Sequence, residues 1–65
     1  MSDVRAVAAR MEQLLRERPR TFYELLRELE DAEYRFILQA WGSLREAHRL
    51  GRDAHGLYLL RETRP

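Results

Sequence analysis

Apolar residues recur along this chain at two different spacings, and the change between them divides it into a helical part and a short strand part. From Val4 onward, Val4, Val7, Ala8, Met11, Leu14 and Leu15 fall at the three- and four-residue intervals of one helix face. Ser2 can cap that helix and Asp3 suits its first turn. Pro19 stops it by pushing Arg18 out of helical angles. Thr21 with Glu24 three residues on is a capping box, so a second helix opens there and buries Phe22, Leu25, Leu26 and Leu29. A tight turn leads into a longer periodic stretch, DAEYRFILQAWGSLREAHRL. With Ile37 as origin and about 100° per residue, Glu33, Ile37, Ala40, Trp41, Leu44, Ala47 and His48 share its inner side. Asp31 is the expected N-cap and Gly51 the expected left-handed stop.

After Gly51 the spacing shortens. Arg49 to Arg52 and Leu57 to Leu60 flank Asp53-Ala54-His55-Gly56, a hairpin signal. Leu57 and Leu59 take one face, Tyr58 and Leu60 the other. The expected fold is mainly α with a small β-hairpin. Its helices run over about 3–18, 22–30 and 32–50, and its hairpin over about 50–60. Residues 1–65 form one domain, with 61–65 a frayed tail.

Helix, capped helix, turn, long helix, glycine and hairpin resembles the winged helix-turn-helix superfamily. The likeness is carried by TFYELLREL in the second helix, LREAHRLGR at the end of the third and DAHGLYLL in the hairpin. It spans Thr21 to Leu60 and rests on pattern, not on a diagnostic motif. The resemblance implies that the third helix enters the major groove of duplex DNA while the hairpin, or wing, touches its backbone or minor groove. Carried onto this chain, the DNA-binding residues are Arg35, Gln39, Ser43 and Arg49 on the helix, beside Gly42 and Glu46, with Arg52 and His55 on the wing. Arg and Gln can read guanine and adenine edges. The implied function is a small DNA-binding protein of transcription regulation, working as a homodimer or within a larger assembly.

Composition pulls the other way. All twelve basic residues are Arg, yet net charge is only +1, which is not the footprint of a strong nucleic-acid binder. Positive charge collects late, at Arg49, Arg52, Arg61 and Arg64, while the second helix and the turn after it are acidic. An acidic corner repels phosphate. Winged helices also serve as protein-interaction modules, and fold alone does not choose. The alternative is therefore a protein-binding or accessory domain without nucleic acid, using Phe36, Leu38, Tyr23 and Tyr34.

Catalysis is disfavoured. There is no cysteine, and His48 and His55 lack a nucleophile or ligand cluster at a recognisable spacing. No cofactor or metal is expected. No apolar run approaches the ~20 residues of a membrane span and no secretory signal is visible, so the expected place is the cytoplasm.

Overall fold

The computed structural model describes residues 3–61. Three helices, α1 (Val4–Glu17), α2 (Phe22–Glu28) and α3 (Tyr34–Glu46), are followed by an antiparallel hairpin of β1 (Leu50–Arg52) and β2 (Tyr58–Leu60). This is the expected three-helix-plus-wing arrangement. The core is one cluster of Val7 and Met11 from α1, Leu29 at the end of α2, and Ile37, Ala40 and Leu44 from α3. Leu15 and Leu25 are also buried. Each large apolar side chain so buried contributes about 1.5–3 kcal/mol.

The helix ends show which polar groups hold the framework. The α1 cap is Asp3, whose carboxylate accepts from the Ala6 N–H at 2.9 Å. The expected Ser2 cap and residues 62–65 of the expected tail lie outside the described residues. Thr21 and Glu24 form the expected capping box: Thr21 Oγ1 accepts from the Glu24 N–H, and Glu24 Oε1 accepts from the Thr21 N–H, both at 3.1 Å.

Asp31 does not cap α3. The N-cap is Glu33, which makes no side-chain capping bond. Arg10 of α1 takes Asp31 instead, donating from Nη1 to both carboxylate oxygens at 2.9 and 3.0 Å and from Nη2 to the Glu28 carbonyl at 3.1 Å. The turn between α2 and α3 is thereby tied to the first helix.

Gly51 is not the helix stop either. α3 ends four residues before the expected Leu50, and the residue with positive φ is His48, at 56°. The His48 N–H donates to the Arg45 carbonyl and the Arg49 N–H to the Leu44 carbonyl, at 3.0 and 2.9 Å. This pair of reversed bonds is the Schellman ending, with His48 in the position that glycine usually takes. Gly51 lies inside β1, where a side chain would run into Arg61: its Cβ would stand 2.8 Å from Arg61 Cγ.

One element was not expected. Arg20 exchanges two backbone hydrogen bonds with Tyr58, N–H to carbonyl at 2.9 and 2.7 Å, as an isolated bridge on the outer side of β2. Its side chain is buried, only 5 % of the residue being exposed. The guanidinium donates from Nε to the Leu14 carbonyl and from Nη2 to Glu17 Oε1, both at 3.0 Å. A cation can be buried at this place because it closes the carbonyl end of α1 and meets a carboxylate there. No helix among the described residues is long and apolar enough to cross a membrane.

Candidate interaction surface

The rotation of α3 decides what the surface offers. Ile37, Ala40 and Leu44 are buried and Phe36 is half-buried, whereas Glu33, Ala47 and His48, expected on the inner side, are exposed. At about 100° per residue, the buried arc is centred about 50° from Ile37, toward Ala40 and Phe36. α1 packs on that side, and its Val7 and Met11 draw the helix round. The opposite side then carries Leu38 and Gly42 with the exposed Arg35 and Glu46, and on its margin toward Trp41 Tyr34, Leu38, Gly42 and Arg45 follow one another at intervals of four, four and three residues. Tyr34 is 57 % exposed and Leu38 45 %, and no protein atom lies within 4 Å of where a Gly42 Cβ would be.

Trp41 is pulled to the edge of the core. Its ring lies 4.8 Å from that of Phe22, tilted, and 4.8 Å from that of Tyr58, edge to face. Each such pair adds about 0.5–1.5 kcal/mol beyond the area buried. The stack joins α2, α3 and β2 and leaves one side of the indole open. Between α3 and the hairpin runs a groove of about 430 Å³, lined by Trp41, Arg45, Leu50, Gly51, Arg52 and Tyr58. A shallower hollow of about 340 Å³ at Gly42, Arg45 and Glu46 extends it along the helix.

The residues expected to bind DNA do not gather in one place. Arg52 lines the groove; its guanidinium carbon stands 5.1 Å over the Tyr58 ring, and Nη2 donates to the Gly56 carbonyl at 3.4 Å. Gln39 and Ser43 are exposed on α3 but do not line the groove. Arg35 is paired with Glu33 at 2.8 Å and lies 4.9 Å from the Phe36 ring centre. Arg49 is beyond the helix and pairs with Glu12 of α1, bracing the approach to β1. His55 is exposed at the hairpin tip, where Asp53 Oδ1 accepts from its N–H and from that of Leu57, each at 2.9 Å. Gly56, with φ of 79°, completes that turn.

Arg45 is the functional candidate that the pattern missed. The signal available was its offset of four from Trp41, which places it beside the indole. Arg45, Arg52 and Arg61 have no carboxylate partner among the described residues, while Arg10, Arg18, Arg20, Arg35 and Arg49 each have one. Uncompensated positive charge therefore borders the groove. Among the described residues, no three His, Asp or Glu side chains converge as a metal site would require. Compared with models of known protein families, with curated proteins and with solved structures, the chain gives no match.

Proposed function

We propose that this chain is a winged-helix protein-interaction module, binding a partner protein through the outer side of α3 and the groove beside it. The observation that carries this reading is the line of Tyr34, Leu38, Gly42 and Arg45 on one exposed helix side, continuous with the open side of Trp41. Single exposed apolar residues are ordinary, but here two share a face with a bare glycine and an aromatic groove. Tyr, Trp and Arg are the side chains enriched in protein interfaces.

The same surface is poorly arranged for phosphate. Arg35 and Arg49 are held by Glu33 and Glu12, so a phosphate would have to displace a carboxylate at each. Glu46 stands on the helix beside Arg45. The test uses Leu38→Glu and Tyr34→Ala, which remove no core contact. Both variants should fold as the parent does and lose a stoichiometric protein partner that the parent retains. The reading is refuted if the parent instead binds duplex DNA at micromolar concentration with steep salt dependence and Leu38→Glu leaves that binding intact.

A second reading is DNA binding by α3 and the wing, in the manner of a transcription regulator, and one observation favours it: Arg45 and Arg52, which line one groove, have no carboxylate partner among the described residues. Two phosphate contacts give a slope of log affinity on log salt of about −1.8. A single unit would bind weakly on that account, so this reading requires a homodimer or an assembly. Titration of a duplex at two salt concentrations measures the slope directly.

A further inference from the structure

The hairpin has two lateral edges, and only one is taken. Arg20 pairs with Tyr58 along β2. On the other side of the hairpin, β1 has no strand neighbour among the described residues. The direction of its backbone groups follows from the pairing. The Arg61 N–H donates to the Arg49 carbonyl and the Asp53 N–H to the Leu57 carbonyl, so residues 49, 51 and 53 turn their polar groups toward β2. In an antiparallel ladder the intervening residues point the other way. Leu50 and Arg52 therefore present N–H and C=O groups outward from β1. All three residues of β1 line the groove, whereas β2 contributes only Tyr58.

We infer that this groove receives an extended peptide segment of the partner, added antiparallel or parallel to β1, with an acidic side chain set against Arg45 and Arg52 and an apolar one on Trp41. The inference rests on the protein-binding reading above and names the chemistry of the segment. A vacant strand edge offers donors and acceptors in alternation, and only another polypeptide backbone satisfies both. A phosphodiester has acceptors alone, so it would leave the Leu50 and Arg52 carbonyls unanswered. An added strand sends alternate side chains to one face. On the face toward α3 they meet an indole and two guanidinium groups that have no carboxylate partner among the described residues. That combination selects a segment with a carboxylate and an apolar residue two positions apart, so that both reach that face.

The experiment is an amide-resolved NMR titration of the whole chain with a capped pentapeptide of serines carrying valine at its second and glutamate at its fourth position, two side chains on one face. Two control peptides accompany it: one with lysine for glutamate, and one with alternate backbone nitrogens methylated. At about 1 mM, a concentration that registers even weak binding, the glutamate peptide should shift the Leu50 and Arg52 amides. It should also shift the indole N–H of Trp41, the chain's one tryptophan. The lysine and methylated peptides should not. Arg45→Glu, at an exposed position, should keep the parent spectrum and weaken the glutamate peptide at least tenfold. The inference is overturned if the glutamate peptide causes no shifts or shifts mapping away from β1, if methylation is without effect, or if Arg45→Glu binds as the parent does. A protein partner lost with Leu38→Glu but kept by Arg45→Glu would leave the protein-binding reading standing and remove the groove from it. A duplex that shifts the same amides where the glutamate peptide shifts none would remove both.

Discussion

Gly42→Ala separates stability from binding in a single methyl group. Gly42 lies in the interior of α3, and nothing stands within 4 Å of the position its Cβ would take. The substitution therefore creates no clash and removes no contact. What remains is the backbone: glycine in a helix interior is less favourable than alanine by about 0.8–1.0 kcal/mol, because it gives up more freedom on folding. The variant should be more stable by about 1 kcal/mol. In a domain of this size that raises the melting temperature by about 4–8 °C. Thermal and urea unfolding followed by helical circular dichroism measure it, with the urea slope unchanged. The same methyl lies between Leu38 and Arg45 on the outer side of α3. A partner that comes close to the backbone there should bind the more stable protein less tightly. Equal or lower stability would refute the reasoning, since it would mean that the helix is not continuous at Gly42 or that the space beside it is not open.

Three further outcomes follow from the polar framework. Arg20→Met keeps the buried stem but removes both guanidinium hydrogen bonds, so it should cost about 1.5–3 kcal/mol in urea unfolding; an unchanged midpoint would mean that the buried cation holds nothing. Glu24 is held below the usual carboxylate range chiefly by the Thr21 N–H, and Asp31 chiefly by its hydrogen bond from Arg10. Both groups stay charged at pH values where the unfolded chain has begun to take up protons, so their stabilisation is complete above about pH 5 and is lost as pH falls through about 4 and below. Asp31→Asn should flatten that acid limb of the stability profile, and an identical limb would remove Asp31 from it. Asp53→Ala withdraws one acceptor from two turn amides and should loosen the hairpin by about 1 kcal/mol, read as faster hydrogen exchange at Leu57 while the α1 amides keep their protection.

What could be read from the residues depended on how local the cause was. The Thr21–Glu24 box and the period of α1 concern neighbours within one turn, and both elements stand where expected. The hairpin was legible because Asp53 and Gly56 shape the turn by local chemistry. The ends of α3 were misplaced because each residue had a second partner out of sight. Asp31 could cap a helix or meet Arg10, and the bidentate ion pair took it. Glycine at 51 looked like a stop, but its lack of a Cβ serves the strand beside Arg61, while His48 accepts the left-handed turn. The rotation of α3 was the costly miss for function. Weighing Trp41 as a core residue turned the helix the wrong way, since Phe22 and Tyr58 hold the indole at the margin and α1 claims the side with Ala40 and Phe36. The groove consequently joins Arg45 to Arg52, not Gln39 and Ser43 to Arg52. The buried place of Arg20 had no sequence signal, because arginine is among the residues least often found inside.

The bond between Arg20 and Tyr58 also limits how the molecule can aggregate. A ribbon with two vacant margins can propagate without end, each newcomer offering a fresh margin to the next. Here one margin is occupied at Tyr58 by the chain's own α1–α2 connection, which leaves β1 as the more open side. Strand-to-strand association of this protein with itself through β1 would then close at a symmetrical pair, each copy using up the other's open side.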